Sequence, residues 1–234
     1  MEIQYFDNDD VCAFSSPLDA SLATDAGAQN RQLLALRKGF DVAQLTSAEQ
    51  VHGCNIAIVD SEHVGCGALD INTRIPATDA LITNLRGVCL LILTADCVPV
   101  VLFDKRQKVI AAVHAGWRGT AQRIAEHTID KMVSIFGTRP EDVVAAVGPH
   151  ICGKCFEVGN EVVDAIGQEY VCGTGANGNP TLDLGAANIA QLKSVGVADI
   201  YDSGVCTYHC AEWPSWRREK SNVRLGTYIW LKRG

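Results

Sequence analysis

Residues 100–103 and 109–113 are two runs of Val, Leu, Ile, Ala and Phe, separated only by Asp104-Lys105-Arg106-Gln107-Lys108. So short a charged connection joins antiparallel strands, because a parallel crossover needs a dozen residues or more. The centre of the chain is therefore a β-hairpin. Its open end carries Thr94-Ala95-Asp96-Cys97-Val98-Pro99 on one side and His114-Ala115-Gly116-Trp117-Arg118-Gly119 on the other. A hairpin of this length returns His114 toward Cys97. Upstream, Gln50-Val51-His52-Gly53 supplies a second histidine. Two imidazoles and one thiolate are a natural ligand set for a zinc-type ion, and three protein ligands leave a position open for water or substrate. Taken singly, Cys97 reads as a core thiol and His114 as a hydrogen-bonded strand-end histidine. The glycines and proline around both favour the ligand reading, which points to an enzyme.

Residues 80–83 and 88–94 read as further buried strands, rich in Ile, Leu and Val and bounded by turn or charged residues. Residues 143–147 read as another. Ile124, Thr128, Met132 and Ile135 recur at helical spacing and predict a helix over 120–135, with Gly137 at its C-terminal end. Helices are also predicted over 30–37, 159–166 and 184–195. Residues 172–180, with Gly173, Gly175, Gly178 and Pro180, read as a loop, and residues 1–6 and 227–231 as edge strands. Strands and helices without a regular βαβ alternation predict an α+β fold, with mixed β-sheets flanked by helices in a single domain spanning 1–234.

A formal net charge of −7 gives no electrostatic reason to expect nucleic acid as a partner. The local exception is Trp216-Arg217-Arg218 with Lys220 and Arg224, which reads as a small anion site or a solvated face rather than a polynucleotide groove. The N-terminus lacks a basic region followed by an apolar core, and no apolar run approaches the roughly 20 residues of a membrane span. The expectation is a soluble cytoplasmic protein with no membrane partner, monomeric or weakly oligomeric. Its ten cysteines are irregularly spaced, and a chain with this large an apolar fraction needs no disulfide framework. Cys89 reads as a small buried hydrophobe.

Other signals are weaker. Gly116 and Gly119 bracket Trp117 and Arg118 at a predicted helix start, where exposed amides and a fixed charge suit an anion. A helix start with an exposed arginine explains the same residues. Cys152-Gly153-Lys154-Cys155 invites a dithiol redox reading, but that motif belongs at a helix start in a βαβ setting, and here it follows Gly148-Pro149. A zinc deaminase signature needs His-x-Glu, and no histidine in this chain is followed two residues later by glutamate. His209, beside Cys206 and Cys210, offers an accessory metal site. His63 reads as a loop residue and His127 as a surface residue. Asp96 suits either proton transfer and ligand orientation or a simple strand-end turn.

Taken together, Gln50-Val51-His52-Gly53, the 94–99 and 114–119 motifs, Gly148-Pro149 and Cys155-Phe156-Glu157-Val158-Gly159 resemble the YfiH-type, or laccase-domain, family. The resemblance continues through Asp183-Leu184, Ala187-Asn188 and Gln191-Leu192 to Cys206-Thr207 and Ser215-Trp216-Arg217-Arg218. It implies a YfiH-like fold and a zinc ion on His52, Cys97 and His114, with copper as the alternative suggested by the older polyphenol oxidase label. It implies phosphorolysis of purine nucleosides (adenosine, inosine, methylthioadenosine) to base and pentose 1-phosphate, with hydrolytic deamination of adenosine. For some bacterial members it implies peptidoglycan editing instead. It places Arg31 in the family's phosphate-contacting region; with the readings above, the expected catalytic residues are Arg31, Asp96 and Cys97, and the expected substrate-binding residues are Gln50, Arg118 and Cys155. This chain departs from the family pattern in carrying Ser21-Leu22-Ala23 where Asn-x-Gly is usual before the Asn30-Arg31 pair. It also carries Lys154-Cys155 for adjacent cysteines, Phe156 for tyrosine, and Trp213-Pro214 for a Phe-Phe pair.

Overall fold

The computed structural model describes residues 2–17 and 25–233. Met1 and Ser21-Leu22-Ala23 lie outside the described residues. Five strands form one sheet in the order Ile3–Asp7, Val11–Ser16, Leu225–Leu231, Cys89–Thr94, Leu45–Ser47. All neighbours are antiparallel except Leu45–Ser47, which runs parallel to Cys89–Thr94. A second sheet of six strands has the order Asp199–Asp202, Val143–Val147, Val98–Asp104, Val109–Ala115, Ala80–Thr83, Ile56–Ile58. Its two outer pairs are parallel and its inner pairs antiparallel.

Strand side chains alternate between faces, and that alternation builds the layers. In the central hairpin, Val100, Leu102, Val109, Ala111 and Val113 pack toward Ile124, Ile129 and Met132 of helix Ile124–Phe136 and Leu184 and Leu192 of helix Leu184–Ser194. Val101, Phe103, Ile110 and Ala112 face the other way and meet Leu90, Ile92 and Ile229 of the five-stranded sheet. The outer face of that sheet, with Phe14, Leu91 and Tyr228, is covered by Leu34 and Ala35 of helix Asp25–Lys38. The architecture is helix, sheet, sheet, helices: an α+β fold of mixed sheets, as the sequence predicts. No helix among the described residues is long and apolar enough to cross a membrane.

Several elements differ from the sequence reading. The predicted 120–135 helix is two helices, Trp117–Ala121 and Ile124–Phe136, because Arg123 turns the chain through the left-handed region at φ 58°. Gly137, also left-handed, caps the second as predicted. Residues 172–180 are not simply a loop: Val171–Thr174 and Pro180–Leu182 pair as a hairpin. Its turn is pinned by the Glu157 carboxylate, which accepts from the Asn177 and Asn179 amides. Residues 227–231 belong to no edge strand, since Leu225–Leu231 pairs on both sides. The N-terminal strand Ile3–Asp7 does lie at an edge.

Candidate metal centre and its cavity

The hairpin register sets Pro99 opposite His114 and Val98 opposite Ala115. Cys97, one residue before its strand, and His114, one before the end of its own, thus meet at one corner of the sheet. His52 reaches the same corner from the loop after Leu45–Ser47. One ligand atom from each of His52, Cys97 and His114 lies within 4.8 Å of the others. The two imidazoles stand edge to face, with centroids 4.7 Å apart at 82°.

Asp79 organises this corner. It immediately precedes strand Ala80–Thr83 and is 0% exposed. Its Oδ1 accepts from the His52 amide at 3.0 Å, and its Oδ2 accepts from the Gly53 amide at 2.8 Å and the Val51 amide at 3.3 Å. Oδ1 also lies 2.7 Å from His114 Nδ1. With Nδ1 committed to the carboxylate, the other ring nitrogen of His114 is left for an ion. The Asp79 carbonyl accepts from the His114 amide at 2.8 Å, fixing the backbone too.

The electrostatics follow from burial and close charges. Burial opposes charge on Asp79, but the His114 hydrogen bond and the Gly53 amide outweigh it and hold the carboxyl below its ordinary range. Burial likewise pushes the Cys97 thiol up, and the His114 and His52 imidazoles overcome this and bring it down to about 6. Burial pushes His114 down, while the Cys97 sulfur and Asp79 raise it to about 9. At neutral pH Cys97 and His114 are a thiolate and an imidazolium, a pair of charges that a divalent cation replaces naturally.

Two backbones here are held where side-chain-bearing residues rarely go: His52 at φ 60° and Asp96 at φ 83°. Each such residue costs on the order of 1–3 kcal/mol and persists because its surroundings enforce it. Asp79 supplies that enforcement for His52. Asp96 is held by its own carboxylate, which accepts from the Thr207 hydroxyl at 2.7 Å and the Arg217 amide at 2.6 Å. Both its oxygens being engaged, Asp96 brackets Cys97 to the 215–219 segment.

Gly116 lies against the cluster. A Cβ there would sit 2.9 Å from His52 Cδ2 and 3.3 Å from Cys97 Sγ. Its φ of −72° is open to any residue, so the glycine is required by the close approach alone. Gly116→Ala is expected to keep the fold and to weaken metal binding about 10-fold or more by displacing His52. Competition titration against a chelator measures this, and an unchanged affinity would mean that His52 is no ligand.

The cluster opens into a cavity of about 690 Å³, within the usual range for small-molecule sites. Arg74, Arg118, Arg217 and Arg224 reach its wall, as do Trp117, Phe156 and Trp216. Arginine and aromatic residues are paired: Arg118 lies 4.3 Å from the Trp117 ring centroid, Arg217 5.5 Å from Phe156 and Arg224 5.7 Å from Trp216. A guanidinium resting on a ring is held in place, and backbone carbonyls hold two of these further: Arg217 Nη1 donates to Glu157 at 2.8 Å, and Arg224 Nη1 to Ser221 at 2.9 Å and Val223 at 2.8 Å. An acidic chain thus concentrates positive charge at one opening. Buried Asn188 and Gln191 brace it from behind, donating to the Thr120 hydroxyl at 3.0 Å and the Thr120 carbonyl at 2.7 Å.

The predicted site residues divide. His52, Asp96, Cys97, His114, Gln50 and Arg118 line this cavity. The Gln50 side-chain amide is also bonded to the Leu93 backbone, accepting at 2.9 Å and donating at 2.7 Å. Arg31 is 1% exposed and donates to the Ala68 carbonyl at 3.0 Å, away from the cavity wall. The helix that carries it packs on the far face of the five-stranded sheet. Cys155 lies outside the cavity wall, with its sulfur 3.1 Å from His209 Nε2. Of the C-terminal basic cluster, Arg217 and Arg224 face the cavity, whereas Arg218 donates to the carbonyls of Thr207, Tyr208 and Trp213. Asp79 and Arg74 carry no sequence signal beyond a lone acid before a strand and a lone base in a loop.

A family model described as multi-copper polyphenol oxidoreductase laccase matches residues 21–232. A purine nucleoside phosphorylase of Streptomyces coelicolor is 38% identical over 219 residues, covering 92% of this chain and 87% of the relative. An adenosine deaminase, RL5, from an unknown prokaryotic organism is 39% identical over 188 residues, covering 76% and 70%. The crystal structure of the Bacillus licheniformis hypothetical protein YfiH superposes with a TM-score of 0.88 at 28% identity, covering 98% of this chain and 99% of that one.

Proposed function

This chain belongs to the multi-copper polyphenol oxidoreductase laccase family, and from that membership and the chemistry of the cavity we propose that it is a zinc-dependent purine nucleoside phosphorylase. The observation that carries the reading is a His52–Cys97–His114 cluster opening on a cavity walled by four arginines and three aromatic rings. The relatives named purine nucleoside phosphorylase and adenosine deaminase support it. We take residues 1–234 as one domain of this family, working in the cytoplasm, where thiols stay reduced; the ten cysteines are all free.

The donor set fits zinc: two imidazoles and one thiolate, with His114 oriented by Asp79. When bound, the ion would supply Lewis acidity, polarising a ligand or lowering the pKa of a bound water to about 7. The chain's own residues do the rest. Trp117, Phe156 and Trp216 offer flat apolar faces for a purine, and the arginines offer forked donors for phosphate. In phosphorolysis the bond from ribose carbon to base nitrogen breaks, a bond to phosphate oxygen forms, and the base leaves with a proton. Positive charge builds on the sugar meanwhile, and a phosphate held by the arginines both attacks and stabilises that charge. Arg217 is set for this by Asp96 at its amide and by the Glu157 carbonyl, which accepts from its Nη1 at 2.8 Å. Hydrolytic deamination of adenosine, the activity in the name of the RL5 relative, is a second reaction for the same cavity.

Copper oxidation of phenols is less well supported, because no metal-type cluster among the described residues gathers more than two histidines. Zinc-loaded protein given adenosine is expected to release adenine and ribose 1-phosphate only when phosphate is present, with inosine as the product of the deaminase reaction. Base release indifferent to phosphate would defeat the phosphorylase reading. Inert nucleosides alongside turnover of muropeptide precursors would favour wall editing, and oxygen consumption with phenols would favour the oxidase.

A further inference from the structure

A second group of metal-type ligands lies outside the cavity. Strands Val143–Val147 and Asp199–Asp202 are parallel neighbours, so the loops leaving their C-terminal ends emerge side by side. The first loop carries Cys152-Gly153-Lys154-Cys155 and the second Cys206-Thr207-Tyr208-His209. The loops are stitched together by a parallel bridge between His150 and Cys206, with the His150 amide donating to the Val205 carbonyl at 3.2 Å and the Thr207 amide to the His150 carbonyl at 3.0 Å. One ligand atom from each of Cys152, Cys155, Cys206 and His209 lies within 4.8 Å of all the others.

We propose that Cys152, Cys155, Cys206 and His209 form a closed structural site for a second zinc-type ion, separate from the His52–Cys97–His114 cluster. Three thiolates and one imidazole, arriving as Cys-x-x-Cys and Cys-x-x-His, are a donor set that selects zinc. A tetrahedral ion with zinc–sulfur bonds of about 2.3 Å keeps its ligand sulfurs about 3.8 Å apart, a spacing these atoms reach with small adjustment. Cys206 is prepared for the thiolate form: its sulfur accepts from the Cys152 amide at 3.3 Å, and the His209 and Tyr208 amides also point at it. These amides outweigh burial and lower its pKa. Cys155 suffers the opposite: burial, then the nearby Cys152 and Cys206 sulfurs, push it up to about 12.

The site also has something to hold in place. Thr207, inside the second loop, donates to Asp96 beside Cys97. Glu157, just past the first loop, accepts from Arg217 through its carbonyl, and Arg218 clamps the carbonyls of the second. An ion clamping both loops fixes the arginine side of the cavity without touching substrate.

The test is a zinc count. Protein purified under reducing conditions, loaded with zinc chloride and desalted is expected to hold two zinc per chain. His114→Ala should hold one, Cys206→Ala one, and the double variant none. A His114→Ala chain holding no zinc, or a Cys206→Ala chain holding as much zinc as the wild type, would overturn the proposal. Since Cys206→Ala risks misfolding, the His114→Ala chain provides a second readout at the intact cluster. There, zinc should slow alkylation of Cys152, Cys155 and Cys206 at least tenfold, read by peptide mass spectrometry, and cobalt should give an intense thiolate charge-transfer band. Alkylation indifferent to zinc, or a disulfide among these cysteines that excludes zinc, would point to a redox pair and sink the metal site.

Discussion

Asp79→Ala is expected to destabilise the metal-free protein by about 3–5 kcal/mol, the usual effect of removing one partner from a buried, hydrogen-bonded charge pair. The Asp79 carboxylate accepts from three consecutive amides, at Val51, His52 and Gly53, and lies against His114 Nδ1. Without it, three amide donors and the Nδ1 side of a buried imidazolium lose their acceptor, and His52 loses what holds it at positive φ. Asp79→Asn separates stability from metal binding. Its carbonyl oxygen can serve one side of the carboxylate, but its NH₂ then opposes either the Gly53 amide or His114. If the NH₂ faces His114, the imidazole must accept at Nδ1 and carry its proton on Nε2, the nitrogen meant for the ion. Asp79→Asn is therefore expected to fold and to lose about 10- to 100-fold in zinc affinity. Denaturant midpoints of the metal-free proteins measure the first effect, with no contribution from bound metal, and chelator competition measures the second. A metal-free Asp79→Ala chain with the wild-type midpoint would remove Asp79 from its place at the centre of the site.

What the sequence revealed and what it hid follow from how local each signal is. The central hairpin is legible because a five-residue link, four of its residues charged, between two apolar runs leaves one topology open. The meeting of Cys97 and His114 follows from that register. Nothing local places Leu225–Leu231 between Val11–Ser16 and Cys89–Thr94, because those pairings join the two ends and the middle of the chain. A terminal apolar run carries no mark of being central. Strand Val11–Ser16 escapes notice for a related reason: it ends in Ser15 and Ser16, buried by their sheet neighbours rather than by their own hydropathy. Within the site, His52, Cys97 and His114 are readable because histidine and cysteine advertise metal chemistry by type. Asp79 advertises nothing, because an aspartate before a strand is common and its partners come from residues 51–53 and 114. Arg31 is legible only through a motif that resembles the family's, and its helix covers the sheet face away from the cavity. The Cys-x-x-Cys pair is ambiguous on its own terms, and only the parallel neighbour strand brings Cys206 and His209 to it.

Metal-dependent activity is expected to fall steeply in acid, and the charges at Cys97 and His114 set where. Above about pH 9 the Cys97 sulfur is a thiolate and His114 is neutral, so this pair has no proton for zinc to displace. Between about 9 and 6 His114 carries a proton that zinc must expel, and the affinity falls about tenfold per pH unit. Below about 6 Cys97 is protonated as well, and the fall becomes about a hundredfold per unit. The zinc concentration that restores half-maximal phosphorolysis, measured in zinc-buffered solutions across this range, reads the cavity site alone whatever other ions the chain holds. A flat profile between pH 6 and 9 would mean that the pair does not bind the active ion. Cys97→Ala should weaken zinc at least about a hundredfold, one ligand's share of the roughly 10–16 kcal/mol that a four-ligand zinc site supplies. The same variant should lower His114, because it removes the sulfur that contributes most to raising it. The tenfold-per-unit window should then contract toward lower pH. Weaker binding with an unmoved window would mean that Cys97 ligates the ion but does not set the charge of His114; both changes together are what a shared thiolate–imidazolium pair requires.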